Sequence, residues 1–189
     1  MNSGSLPPRR VGRRINVRGV SGSGKSTFAK RLASILDYQY VEFDAINWQP
    51  GMVPLPDEEF RNRVRHAISG EDWVADGNYG SVRDIVMGRI DTLIWLDFGY
   101  RIVAPRIIGR TFRRIVRREL LWGHSREGFK TFFCRENIIL WSLTRVRKYQ
   151  KTVGETFASM PEESIRIKFS TPAEAEAWLQ ALEDEISKR

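Results

Sequence analysis

The residues Gly19-Val20-Ser21-Gly22-Ser23-Gly24-Lys25-Ser26, followed by Thr27, fit the spacing G-x-x-x-x-G-K-[ST]. Glycines at these positions let the backbone wrap tightly, so that successive N–H groups point inward at phosphate oxygens. In that arrangement the lysine reaches the β- and γ-phosphates and the hydroxyl of Ser26 serves as a Mg²⁺ ligand. The expectation is a nucleoside triphosphate site, ATP with Mg²⁺, formed by Gly19, Ser21, Gly22, Ser23, Gly24, Lys25, Ser26 and Thr27. A dinucleotide site fails on spacing: Gly22-Ser23-Gly24 begins G-x-G, but Thr27 stands where the third glycine belongs.

Phosphoryl transfer also needs a metal-side acid, cationic clamps and a group that orients the attacking hydroxyl. Asp44, Asp76 and Asp97 each close an apolar run that reads as a strand, and ligands of open α/β sheets bind at the carboxyl ends of strands. Asp76 and Asp97 both qualify for the metal side, and spacing alone does not separate them. Asp44 is placed to take the proton of an acceptor hydroxyl. Arg106, Arg110, Arg113 and Arg117 recur at i, i+4, i+7 and i+11, with Arg114 and Arg118 beside them and Ile108, Phe112, Ile115 and Val116 opposite. Like charges on one helix face repel, so an anion should compensate them. The expected compensation is the phosphoryl group in transfer, closed over by Arg106, Arg110 and Arg114; a solvated face and a nucleic-acid backbone are the alternatives. Arg61 and Arg65 share a face and are candidates for touching a substrate anion or for a plain solvated face. His66 and His124 lack metal-ligand partners, and Trp48, Trp141 and Tyr79 are candidates for stacking on a base or for packing.

Elements that would hold these groups alternate along the chain. Residues 15–20 read as a strand, and Phe28, Leu32, Ile35 and Leu36 mark the helix after the glycine loop. A second strand runs over residues 38–44, a helix carries Phe60, Val64, Ala67 and Ile68, and strands follow at 73–76 and 92–97. An arginine-rich helix spans about 101–121, a loop 123–129 and another helix 136–151. Residues 164–169 alternate as a strand, and Thr171-Pro172-Ala173-Glu174 opens a last helix packing through Ala177, Trp178 and Leu182. Strands alternating with helices predict parallel βαβ units: one three-layer α/β domain with five parallel strands.

The 189 residues suit one domain, and 41% hydrophobic content with six tryptophans argues for a packed core. No apolar run approaches a membrane span. Residues 1–13 read as a flexible basic tail without a secretory h-region, and 14–189 as the domain. Cys134 is the single cysteine, so internal disulfides are excluded and a reducing cytoplasm is the expected compartment. The net charge of +8 is concentrated: residues 101–151 hold 14 Lys or Arg against three acids, while the remainder is net acidic.

Together these residues resemble the adenylate-kinase-like branch of P-loop kinases, and within it the bacterial group of DNA topology modulation proteins. The resemblance rests on the glycine loop, on Phe43-Asp44-Ala45-Ile46-Asn47-Trp48-Gln49-Pro50-Gly51, on Trp73-Val74-Ala75-Asp76-Gly77-Asn78-Tyr79 and on Asp91-Thr92-Leu93-Ile94-Trp95-Leu96-Asp97. It implies sheet order 2-3-1-4-5, a mobile basic lid over about 101–150, Asp76 rather than Asp97 on the metal side, and Ser170 to Ala173 bordering an adenine. Adenylate kinases follow their Asp-Gly with Phe-Pro-Arg; here Asn78-Tyr79-Gly80 takes that place, which leaves Arg83 or Arg89 to hold an acceptor anion. The functional expectation is an ATP- and Mg²⁺-dependent phosphotransferase with a small acceptor, a nucleoside or nucleotide favoured, in a monomer or dimer. The rival expectation is an ATP-switched nucleic-acid-binding regulator using Arg9, Arg10, Arg13, Arg14 and the arginine stripe.

Overall fold

The strands that read as apolar runs assemble side by side. In the computed structural model, β1 (Arg14–Gly19), β2 (Gln39–Glu42), β3 (Trp73–Asp76), β4 (Thr92–Leu96) and β5 (Ile165–Phe169) form one parallel sheet in the order β2-β3-β1-β4-β5. The structure describes residues 11–188 apart from Met52, Arg118, Glu119, 122–124 and 127–135; the side chains of Thr111 and of 114–145 are also outside the description. Cys134, His124 and Trp141 therefore lie outside it.

β3 and β4 are buried along their whole length, as expected of strands covered on both faces. β5 sits at the edge and exposes Arg166 and Lys168, charges that discourage further strand pairing. The helices are α1 (Lys25–Leu36), α2 (Phe43–Asn47), α3 (Asp57–Ala67), α4 (Arg83–Met87), α5 (Tyr100–Arg117), α6 (Glu136–Ala158) and α7 (Pro172–Ile186). On one sheet face Phe28 and Leu32 of α1 pack with Val17, Ile94, Leu179 and Leu182. On the other, Phe60 and Val64 of α3 pack with Trp73, Ala75 and Val86. Thr171 caps α7 by accepting from the Glu174 N–H at 3.2 Å, and Glu174 returns a bond from the Ser170 N–H at 2.9 Å. This is the expected three-layer α/β fold with strand order 2-3-1-4-5.

Several boundaries differ from the sequence reading. Asp44 does not end a strand: the chain turns helical at Phe43, so Asp44 sits in the first turn of α2. α5 stops at Arg117, and Leu120–Leu121 pairs instead with Ser125–Arg126 in a short antiparallel ribbon. α6 continues beyond Lys151 to Ala158. Gly12 and Arg13, read as tail, are bonded to the body: the Gly12 N–H donates to Thr92 Oγ1 at 2.9 Å, and Arg13 forks onto Asp72 at 2.5 and 2.6 Å. In α7 Ala177 faces outward, and Ala175, Leu179 and Leu182 form the buried line.

The largest correction concerns α5. Ile108 and Phe112, expected as its packing side, are 50% and 64% exposed, while Val103 and Ile107 are buried. Positions 103, 106, 107 and 110 share one helix face. The narrow apolar line therefore runs beside the arginines, and both face the glycine loop. Among the described residues no helix is long and apolar enough to cross a membrane.

Candidate active site

Between β1 and α1 the backbone enters the left-handed region at Gly22 (φ 80°) and Gly24 (φ 87°). A Cβ on Gly22 would lie 2.7 Å from Ile107 Cγ1 and 3.1 Å from the Val103 carbonyl, so glycine is required there by conformation and by the approach of α5. The Ser23 N–H closes the turn onto the Val20 carbonyl at 3.1 Å, and the Phe28 N–H onto Gly24 at 2.9 Å starts the helix. No side chain caps the N-terminus of α1, which leaves its first amides for a ligand. Ser23 Oγ is buried without a partner. Open amides, positive-φ glycines and a buried orphan hydroxyl fit a polyphosphate.

A cleft of about 800 Å³ opens between this loop and α5, with Lys25, Ser26 and Thr27 on one wall and Arg106, Arg110 and Arg113 on the other. Arg106 donates to the Ser23 carbonyl at 3.4 Å and lies 5.9 Å from the centre of the Phe98 ring. Arg110 donates to Ser21 Oγ at 2.9 Å. The side chain of Arg114 lies outside the described residues; Arg113 is the third arginine of α5 seen on the cleft. Of the segment expected to border an adenine, Pro172 lines the same cleft, together with Ala175 and Leu179 of α7.

The two strand-end acids have different surroundings. Asp76, 1% exposed, accepts the Ser26 hydroxyl at 2.5 Å and the Tyr40 hydroxyl at 2.8 Å. Burial pushes its carboxyl above the usual range, and the bonds from Ser26 and Tyr40 and the charge of Lys25 pull the other way. Asp97 instead accepts from Lys168 at 2.8 Å and from Gln150 at 2.8 Å, which ties β4 to β5 and α6. Of the two acids, Asp76 is the one joined to the glycine loop. Tyr40 was missed in the sequence. The signal for it was its place two residues before Glu42, which registers with Asp76 across the β2–β3 pair.

The segment after β3 accounts for its own spelling. Gly77 (φ 143°) passes under Phe43, where a Cβ would meet the ring at 2.7 Å. Asn78 donates to the Gly19 carbonyl at 2.6 Å, and Tyr79 donates to Asp44 at 2.5 Å. Burial, followed by the charge of Asp44, pushes the Tyr79 phenol up, so Asp44 accepts a firmly held proton. Arg61 pairs with Asp84 at 2.7 Å and Arg89 bonds the carbonyls of Ser69 and Gly70 at 3.0 and 3.1 Å. Both arginines hold the fold. His66 stands on exposed α3, and among the described residues no group of three or more His, Cys, Asp or Glu could hold a metal by itself.

Solved structures show the same arrangement of elements. Shikimate kinase from Acinetobacter baumannii in complex with shikimate superposes with a TM-score of 0.53 at 16% identity, covering 92% of each chain. Shikimate kinase from Bacteroides thetaiotaomicron gives 0.52 at 15% identity, over 92% of this chain and 98% of that one. The fold is that of these shikimate kinases. A gluconokinase from Sinorhizobium meliloti 1021 also aligns, at a TM-score of 0.49 and 18% identity, over 95% and 98% of the two chains. No protein-family model matches the chain, and no curated protein matches it by sequence. Within this kinase fold the glycine loop, Asp76 and the arginine face of α5 are built by the chain's own residues described above.

Proposed function

We propose that this protein is an ATP- and Mg²⁺-dependent phosphotransferase acting on a small hydroxyl-bearing acceptor, with a nucleoside or nucleotide favoured. The observation that carries the reading is convergence. The glycine loop, the Ser26–Asp76 pair and three arginines of α5 meet at one cleft. The loop amides and Lys25 bind the phosphates of ATP. Asp76 accepts the Ser26 hydroxyl and holds it at the glycine loop. Ser26 would ligate Mg²⁺ with Asp76 ordering its water shell, and the ion would supply positive charge to the phosphates. Arg106 and Arg110, with Arg113 one turn further on, face the phosphoryl in transfer. Asp44, steadied by Tyr79, orients the acceptor hydroxyl and takes its proton.

The nucleic-acid regulator would need the same arginines turned to an outer surface. Arg106 and Arg110 instead bond the glycine loop itself, which favours the kinase reading. The test is ADP release from Mg-ATP with and without pooled nucleosides, nucleoside monophosphates and small hydroxy acids. Acceptor-stimulated release should fall by at least about 10² in Lys25→Ala, the scale for a preorganised electrostatic contact. Equal rates in the two proteins would refute the mechanism.

A further inference from the structure

Arg18 is 6% exposed at the carboxyl end of β1, one residue before the glycine loop. Its Nε donates to Asn16 Oδ1 at 2.7 Å, and Asn16 in turn donates to the Ala75 carbonyl at 3.2 Å. Beyond that, one Nη meets only the Met87 sulfur at 3.8 Å. Among the described residues no carboxylate pairs with this guanidinium; the charged or titrating groups that reach it are Tyr149 and a second cation, Arg83. Burial lowers its affinity for its proton, Tyr149 opposes that and Arg83 adds to it. A buried cation with no acid and a like charge nearby is costly in a fold unless an anion arrives from outside.

The surroundings describe the rest of the ligand. Tyr149 donates its hydroxyl to the Asn78 carbonyl at 2.9 Å, which places Asn78 beside the same group that reaches Arg18. The Asn78 amide nitrogen is committed to the Gly19 carbonyl, so its Oδ1 is the free end, and that oxygen is buried without a donor. A missing anion at Arg18 and a missing donor at Asn78 stand together where β1 enters the phosphate loop.

We propose that the phosphoryl acceptor is a hydroxylated acid, its carboxylate or phosphate held by Arg18 and Arg83 and one of its hydroxyls donated to Asn78. The proposal rests on the phosphotransferase reading of the adjoining cleft and narrows it. A neutral nucleoside or sugar leaves Arg18 buried and unpaired, whereas a nucleoside monophosphate or a sugar acid pairs it. Arg18 is thereby a specificity-determining residue, selecting for the acceptor's charge.

Two readouts on the full-length protein test this. In saturating Mg-ADP, which fills the glycine loop, the melting temperature is followed on adding inorganic phosphate, gluconate, shikimate or nucleoside monophosphates, with glucose and nucleosides as neutral controls. At least one anion should raise it and the neutral controls should not; phosphate-bearing and carboxylate-bearing probes separate the two sources of negative charge. Arg18→Met should lose that rise while melting no lower than wild type without anion, since it removes an unpaired buried charge. In ADP release, KM for the anionic acceptor should increase about 10- to 100-fold in Arg18→Met, the range for losing a charged hydrogen bond. Arg83→Gln should show a smaller increase, and Arg18→Lys should recover part of the response even if the methionine variant folds poorly. An undiminished anion response in Arg18→Met, or neutral acceptors turned over as well as their acidic counterparts, would overturn the proposal. Arg18-dependent stabilisation with no acceptor-stimulated ADP release would retain the anion site and remove the kinase reading.

Discussion

Tyr40→Phe takes one oxygen from the site and leaves the ring, so Lys30, 5.3 Å from the ring centre, keeps its contact. The lost bond is the 2.8 Å donation to Asp76, one of two that this buried carboxylate receives from side chains. A hydrogen bond to a charged group is worth about 1.5–3 kcal/mol. In a domain of this length each kcal/mol moves the melting temperature by about 2–4 °C, so the variant should melt about 3–12 °C lower at neutral pH. Burial already raises the Asp76 carboxyl, and the Tyr40 bond opposes that rise. With a raised native value, the folded state binds more protons than the unfolded one in the window between the ordinary carboxylate range and the native value. Stability from this group is therefore present below that window and is lost as pH rises through it. Tyr40→Phe extends the window upward, so its deficit should be larger at pH 8 than at pH 4. If Asp76 serves the metal, losing the bond that orients it and opposes its protonation should also raise the Mg²⁺ concentration for half-maximal ADP release, by up to about 10- to 100-fold. Differential melting and Mg²⁺ titration of turnover measure both effects. A deficit independent of pH together with an unchanged Mg²⁺ dependence would refute the role given to Tyr40.

Gly22→Ala places a side chain at φ 80° and 2.7 Å from Ile107. It should weaken ATP at least about tenfold in nucleotide-dependent melting, the scale of one strained left-handed residue; wild-type affinity would show that the loop tolerates the shift. Asp97→Asn should lower stability through Lys168 and Gln150 yet keep turnover within a few-fold. Asp76→Asn should lose about 10² in turnover while melting no lower at neutral pH, because a buried charge is removed. The reverse ranking in steady-state assays would move the metal-side role to Asp97.

The sheet was legible because its central strands are apolar without interruption: Trp73 to Asp76 and Thr92 to Leu96 can lie only between two layers. The glycine loop was legible because its chemistry is written in consecutive residues. α5 misled for a physical reason. Its cationic stripe was taken to oppose its apolar side, as on a surface helix, but the guanidinium stems share a face with Val103 and Ile107 against the glycine loop. Helical periodicity records which residues lie together on a face. It does not record whether that face meets water or a ligand cleft.

The same distinction explains why strand position by itself did not separate the acids. Asp76 and Asp97 both end buried strands, and spacing alone does not rank them; only the family resemblance favoured Asp76. What separates them is what each bonds: Lys168 pairs with Asp97 from the neighbouring edge strand, while Asp76 accepts the hydroxyls of Ser26 and Tyr40, with the charge of Lys25 acting on it from further off. A buried carboxylate satisfied by hydroxyls keeps its negative charge available to a metal, whereas one paired with lysine has already spent it. Arg18 is the cationic counterpart. Asn16 satisfies its geometry and no described acid satisfies its charge, so its sequence neighbours mark it as a strand residue and only its missing partner marks it as a binding residue.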